Sequence, residues 1–500
     1  MEKIDTQLET DIRRQGESIF KLIEDDSASI FNKDWWFGRI IDWSMKNEKF
    51  KTQMFRFVDV LPYLNSSSEV SRHLKEYFSE SDEASSGILS FGLGVGALAP
   101  GIMAAAIRKN VTQMAKMFIT GENPTDALAK LRSARENSLA FTADLLGEAA
   151  LSEKESLEYQ SRYIELIHTL SKDAENWKEN PLIDTDDRGP IPRVNVSVKL
   201  TALYSQVSER AWDESIKTLK ERLRPIFTIA KERGVFVNVD MEQYRFKDLT
   251  LQVFRELTSE PEFKTYPHFG IVIQAYLRDS YADILKLIEF AKARGTSITV
   301  RLVKGAYWDH ETIWADQNDW PIPVYTNKKE SDANFENCAE LLLKNNSITR
   351  LAAGTHNVRS FASVMAKATQ LGVDLKAFEI QMLYGMADPI KKALVKSGVR
   401  VREYTTIGEL IPGMAYLVRR LLENTSNESF LRSKFAENIS SDILLKNPAE
   451  GLNSIWNSQP AVTKNNGDSS KKSSTRFYNE PFLDWAKKDN RDQFQNALLK

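Results

Sequence analysis

VNVSVKL at 194–200, VFVNVD at 235–240, FGIVIQ at 269–274 and SITVRLV at 297–303 are short runs rich in β-branched and aromatic residues. Each has the length and composition of a buried strand, and each carries a polar or charged residue at or beside its end. The stretches between them, such as Trp212 to Arg233 and Tyr281 to Gly295, have the amphipathic spacing of crossover helices. Working outward, the same rhythm takes in FTADLL from Phe141, TRLAAGT from Thr349, FEIQML from Phe378 and VRVREY from Val399, with Asn357 to Leu371 as a further crossover. Eight such units predict an α/β chain folded as a closed (βα)₈ barrel. Active sites of these barrels lie at the C-terminal ends of the strands. The polar residues there are Asp144, Glu148, Lys199, Asp240, Glu242, Gln274, Arg301, Lys304, His356, Gln381 and Tyr404.

Outside the barrel, residues 1 to about 80 read as amphipathic helices rich in aromatics, and a helix is expected from Thr125 to Asn137. The expected organisation is a helical arm and packing domain over 1–130, the barrel over 131–440, and a C-terminal linker plus short tail over 441–500. Asn465 to Arg476 (NNGDSSKKSSTR) is the linker, and the tail carries Phe477, Phe482, Leu483, Trp485, Phe494 and Leu498, which call for a partner surface. A net charge of −2, 27% charged and 42% hydrophobic residues describe a soluble globular protein and give no footing for nucleic-acid binding. Cys338 stands alone, and no apolar stretch follows Arg13 and Arg14 as an export signal would require, so the cytoplasm is the expected compartment. Ala84 to Ile107 is uncharged and long enough to cross a bilayer, but its glycines and Pro100 make it a poor helix former, so a buried or packed-loop role is expected.

YLVRRLLEN at 416–424 sets Tyr416, Arg419, Arg420 and Glu423 at spacings of three and four on one helix. Such a cluster can be a solvated, salt-bridged face, or its paired guanidinium forks can capture a small carboxylate. The five histidines show no metal-ligand spacing, and no metal site is expected. His356 in GTHN is expected to donate a hydrogen bond to a cofactor. A barrel end lined with Lys, Arg and Gln but without metal ligands suits a bound organic cofactor.

In their order and intervals, FTADLLGEAA, VSVKLTAL, VNVDMEQY, VIQAYL, RLVKGAYWD, PVYTNK, GTHN, QMLYGM and YLVRRLLEN resemble the proline dehydrogenase domain of bacterial proline utilization A flavoenzymes, from about Phe141 to Phe430. The resemblance implies non-covalent FAD, oxidation of L-proline to Δ1-pyrroline-5-carboxylate as the first step of proline catabolism to glutamate, and electron transfer to a membrane quinone. It implies that Arg419 and Arg420 bind the proline carboxylate, that Lys199 adds a cation, and that Glu423 and Glu148 fix these side chains, with Asp144 in support. Tyr404, Tyr416 and Leu383 become walls around the ring. Asp240 supports the site by hydrogen bonding near Tyr404 or the arginines. The flavin side is implied to be Val272, Gln274, Arg301, Val303, Lys304, Gly305, Ala306, Trp308, Thr326, Lys328, Thr355, His356, Asn357 and Gln381, with Asp240 beside them. Arg301 would face the flavin N5 and pyrimidine edge, and Gly305 would allow close backbone approach to phosphate.

Two departures from the family pattern stand out. Asn327 occupies a position where relatives often carry arginine, so a phosphate or ribose contact is expected to be missing. The tail resembles the start of an aldehyde dehydrogenase domain, so that second activity is expected from a domain beyond residue 500 or from a separate partner. Attachment at the inner face of the cytoplasmic membrane would be peripheral. The acidic N-terminus argues against the DNA-binding module that some relatives carry. A hydroxyproline oxidase on the same barrel, disfavoured because Tyr404 crowds a 4-hydroxyl, and a non-catalytic scaffold are the competing readings.

Overall fold

The structure, a computed structural model, describes residues 6–26, part of 53–64, 66–78, 117–147, 149–409, 439–452 and 480–499. The uncharged 84–107 stretch and the 465–476 linker lie outside the described residues. Eight parallel strands close into a barrel: β1 Leu139–Leu145, β2 Asn195–Val198, β3 Phe236–Val239, β4 Phe269–Gln274, β5 Ile298–Val303, β6 Thr349–Gly354, β7 Glu379–Leu383 and β8 Val401–Ile407. Closure comes from β8 pairing with β1 in continuous register from Val401 opposite Leu139 to Ile407 opposite Leu145. The (βα)₈ expectation is therefore met.

The described helices are α1 Thr6–Asp26, α2 Ser67–Phe78, α3 Pro124–Glu136, α4 Glu153–Ala174, α5 Trp212–Arg233, α6 Lys247–Ser259, α7 Ser280–Arg294, α8 Trp308–Gln317, α9 Lys328–Lys344, α10 Val358–Gln370, α11 Asp388–Lys396 and α12 Lys488–Leu498, besides two single-turn α-helices and three 3₁₀ turns. Sequence and structure agree closely where a capping residue punctuates the chain. Helix α5 stops at Gly234, whose φ of 62° is open to glycine at no steric cost and whose N–H closes the last turn. Ser152 accepts from the Glu155 N–H while the Glu155 carboxylate accepts from the Leu151 N–H, a reciprocal cap that starts α4.

Two boundaries differ from the sequence reading. β8 begins at Val401 and not Val399, because the Val399 N–H is committed to the Leu394 carbonyl at the end of α11. A three-residue strand, Ile119–Gly121, pairs parallel with β8. It is too short to show any periodicity.

The chain divides into two compact units. In the one formed by residues 1–16, 149–381 and 445–500, Phe227 stacks on Phe269 at 4.1 Å and Phe263 meets both edge-on, which seats α5 on β4. Ile12, on the first part of α1, packs with Ala362 and Ala366 of α10. Beside that contact the buried Arg359 guanidinium forks onto Glu9 at 2.7 and 2.9 Å and onto Glu336 at 2.9 and 3.1 Å, and it also donates to the Leu445 carbonyl. The tail of this unit folds back on the barrel helices: Trp320 Nε1 donates to the Phe482 carbonyl, Lys487 bonds the Tyr244 hydroxyl, and Arg491 lies 3.5 Å from the Trp212 ring. Trp485 meets Phe494 edge-on, while Phe482 remains 77% exposed. In the other unit, Lys391 is buried and ion-paired to Glu403 at 2.5 Å. Among the described residues no helix is long and apolar enough to cross a membrane.

Candidate active site at the strand ends

Side chains alternate across a strand, so Ser197 and Lys199, Asn238 and Asp240, Val272 and Gln274, and Arg301 and Val303 each share a face. Arg301 on β5 donates from Nη1 to Asp240 Oδ1 at 2.7 Å and to Ser197 Oγ at 3.0 Å. Asp240 follows β3 and Ser197 lies on β2, two and three strands away in the sheet order. Side chains separated in that way meet only across the barrel interior, so these faces point inward. Ser197 Oγ also donates to Asp240 Oδ1 at 2.7 Å, and Asn238 Nδ2 approaches the same oxygen at 3.4 Å. Lys199 Nζ stands 4.0 Å from Asp240 Oδ2. The lumen thus holds two cations around one carboxylate, a net positive group suited to an anionic ligand.

Further round the strand ends, Glu242 accepts from the Thr201 hydroxyl at 2.7 Å and the Thr201 N–H at 3.3 Å, and its carbonyl accepts from Gln274 Nε2 at 3.2 Å. Burial raises the Glu242 carboxyl above the ordinary range, against the opposing pull of Thr201 and Lys199. Lys304, just past β5, is ion-paired with Asp332 on α9, and Lys328 holds the other oxygen of Asp332 at 2.7 Å. Burial lowers the Lys304 ammonium while Asp332 resists. Burial would raise the Asp332 carboxyl, but the two lysines overcome it and hold it below the usual carboxylate range. After β6, the Thr355 N–H donates to the Gln381 carbonyl, Thr355 Oγ1 accepts from the Asn357 N–H, and Asn357 Oδ1 caps α10 through the Ser360 N–H at 3.2 Å. Gln381 donates to Glu379 at 2.7 Å. His356 and Thr355 sit in this same turn, and Val272, Gln274 and Arg301 are buried. Ala306 and Thr326 are exposed; Trp308, 42% exposed, donates from Nε1 to the Tyr325 carbonyl.

The structure thus gathers Lys199, Asp240 and Arg301 into one network and engages Lys304 with Asp332. Ser197, Asn238 and Asp332 were not singled out from the sequence; strand alternation could have pointed to Ser197 and Asn238, each two residues before a charged run-end residue. Two of the positions singled out from the sequence also have structural roles within the fold. The Gly305 backbone, at φ 130°, is approached by the Tyr276 ring, where an added Cβ would fall 2.4 Å from a ring carbon; a protein side chain already demands the glycine. Asn327 is the N-cap of α9, its Oδ1 accepting from the Lys329 N–H at 3.0 Å, so the residue at this departure from the family pattern has its own structural task.

In the second unit Asp144 is buried on β1, Leu383 is half-buried at the end of β7, and Tyr404 is half-buried in the middle of β8. Tyr404 lies on the strand face opposite Glu403, which takes Lys391 from α11, and the Tyr404 carbonyl accepts from the Tyr384 N–H. Glu148, Tyr416, Arg419, Arg420 and Glu423 lie outside the described residues. Among the described residues no group of three or more His, Cys, Asp or Glu side chains converges as a metal site.

Comparison with known proteins places this geometry. The proline dehydrogenase family model matches residues 127–433 and the proline utilization A N-terminal domain model matches residues 9–118. The bifunctional protein PutA of Klebsiella aerogenes is 31% identical over 360 residues, which is 70% of this chain and 26% of that protein. Proline dehydrogenase 1 of Bacillus subtilis is 27% identical over 317 residues, 63% of this chain and 89% of the relative. Among solved structures, proline utilization A from Bdellovibrio bacteriovorus inactivated by N-propargylglycine superposes with a TM-score of 0.87 at 57% identity, covering 98% of this chain and 48% of that one. This chain therefore spans about a quarter of the length of the bifunctional relatives and about half of that solved chain. With a single family model covering more than half of its residues, the chain belongs to the proline dehydrogenase family.

Proposed function

We propose that this chain oxidises L-proline to Δ1-pyrroline-5-carboxylate with FAD as its cofactor, as the first step of proline breakdown to glutamate. The observation that carries the reading is the inward-facing Arg301–Asp240–Lys199 network at the strand ends of a proline dehydrogenase family barrel. The residues suit a flavin: Gln274 Oε1 is buried with no hydrogen-bond partner among the described residues, and Arg301, opposite Val272 in the β4–β5 register, offers a buried guanidinium. Val272, Gln274, Arg301, Val303, Lys304, Gly305, Ala306, Trp308, Thr326, Lys328, Thr355, His356, Asn357 and Gln381 would hold the cofactor, with Asp240 orienting Arg301. When bound, FAD supplies the two-electron acceptor that no amino-acid side chain provides.

The chain's own residues bind and orient. Arg419 and Arg420 anchor the proline carboxylate with Lys199 as a further cation, Glu148, Glu423 and Asp144 steady them, and Tyr404, Tyr416 and Leu383 enclose the ring. Anchoring holds the ring carbon that is oxidised at a fixed place, which lowers the entropic part of the barrier. Electrons would leave to a membrane quinone by peripheral contact at the cytoplasmic face, and an aldehyde dehydrogenase domain or separate partner would consume the product.

The test is spectroscopic. The purified chain should carry or take up FAD, and L-proline should bleach its absorption; a chain that takes up no FAD overturns the reading. Arg419→Met and Arg420→Met should each raise the KM for proline about 10- to 1000-fold, from a loss of about 2 to 4 kcal/mol of charge-assisted binding. An unchanged KM in both would remove the anchoring role.

A further inference from the structure

Lys199 and Gln274 stand on opposite sides of one residue that neither the family comparison nor the reading above assigns. β2 ends at Val198, and the chain passes through Lys199 into a single 3₁₀ turn, Leu200–Ala202, so the direction of the Lys199 side chain depends on how that turn is held. The turn is held from the segment that follows β3. Glu242 Oε1 accepts from the Thr201 hydroxyl at 2.7 Å and Oε2 from the Thr201 N–H at 3.3 Å, a two-point grip that resists rotation of the turn. The Thr201 carbonyl in turn accepts from the Ala150 N–H at 3.1 Å, and the Lys199 N–H faces the buried Tyr163 hydroxyl at 3.4 Å.

On its other side the Glu242 carbonyl takes the Gln274 amide nitrogen at 3.2 Å. A carbonyl can only accept, so this bond assigns the orientation of the Gln274 carboxamide and leaves Oε1 as an acceptor for an N–H or O–H of whatever binds there. One residue therefore sets both a cation and an acceptor, through its side chain and its backbone.

We propose that Glu242 is a positioning residue: its carboxylate holds the 200–202 turn so that Lys199 presents its ammonium to a small carboxylate substrate, while its carbonyl orients Gln274. The proposal rests on the function given above. The loss of solvent that raises the Glu242 carboxyl also strengthens its hydrogen bonds to Thr201, which makes the grip effective.

The experiment uses the full flavin-loaded chain and four variants: Glu242→Ala, Glu242→Gln, Thr201→Val and the double variant Glu242→Ala/Thr201→Val. Glu242→Ala should raise the KM for L-proline about tenfold or more while kcat stays within about threefold, the pattern of lost ground-state binding. Thr201→Val removes only the hydroxyl, keeps the side-chain shape and should move KM in the same direction. The double variant should be no worse than Glu242→Ala, because both act through one contact. Glu242→Gln, which keeps one acceptor for the Thr201 hydroxyl, should recover part of the loss.

A parallel titration with cyclopentanecarboxylate reads carboxylate affinity without turnover. A wild-type chain that binds this carboxylate but does not oxidise proline would sink the proposed function and leave the positioning test standing. Equal carboxylate affinity in wild type, Glu242→Ala and Thr201→Val, or additive effects of the two substitutions, would overturn the role given to Glu242. Should Glu242→Ala fail to fold, Thr201→Val alone decides, since a KM within about twofold of wild type is incompatible with the grip.

Discussion

Lys391 shows how far a single residue can depart from its sequence appearance. In IKKALVK it looks like one of three lysines on a solvated helix, yet its side chain is 1% exposed and its ammonium lies 2.5 Å from Glu403 and 2.9 Å from Asp388. Burial raises the Glu403 carboxyl and Lys391 opposes the shift. Removing the cation leaves a buried carboxylate unpaired, which costs more than the pair contributes. Lys391→Met should therefore destabilise the chain by about 3 to 5 kcal/mol in urea unfolding at neutral pH. The sign with pH is fixed by the direction of the Glu403 shift. A carboxyl raised in the folded state binds more protons folded than unfolded, so the deficit should shrink in acid and grow as pH rises through the carboxylate range. A loss that is small or independent of pH would show that water reaches Glu403. Arg301 and Asp240 were easier to pick out, because they fall at strand ends where a barrel keeps its chemistry; that they pair with each other was not readable from either run.

At the scale of the element, caps explain where prediction and structure coincide. Helices α5, α7 and α10 begin and end within a residue of their expected limits because Gly234, Gly295 and Asn357 mark them. Asn327 is the instructive case: compared with relatives it reads as a lost ligand contact, and in the fold it is the residue that starts α9. Asn327→Ala should cost about 1 kcal/mol of stability by removing the cap. Because the Asn327 side chain is spent on the Lys329 N–H, the affinity of the apo-chain for FAD should change little, and a large loss of FAD affinity at unchanged stability would restore the ligand role. The Ile119–Gly121 strand lay beyond prediction, since its pairing with Thr406 and Ile407 comes from a strand almost three hundred residues later.

At the scale of the whole molecule, Arg359 joins segments from both ends of the chain. Its guanidinium meets Glu9 of α1, Glu336 of α9 and the Leu445 carbonyl, and Asn447 adds a bond to Glu9 at 2.9 Å. Glu9 counted in the sequence only as part of an acidic N-terminus. Arg359→Met would leave two carboxylates facing each other with the fork gone, and the expected loss is about 3 kcal/mol or more. Limited proteolysis should then cut within 6–26 well before the barrel, whereas wild type resists at both places. Equal protection in the variant would mean that the Ile12 contact with α10 holds α1 by itself.

Sequence alone determined the barrel, its crossover helices and the polar rim of its strand ends, because periodicities of two and near four are local and each βα unit repeats them. The family motifs carried the reading further to a carboxylate site and a flavin. Tertiary structure alone decided the partners: Arg301 with Ser197 across 104 residues, Arg359 with Glu9 across 350, Lys391 with Glu403, and Glu242 with Thr201. Ion pairs and hydrogen bonds act over a few ångströms in space and without limit along the chain, so a pattern can say which face a side chain occupies but not what meets it there.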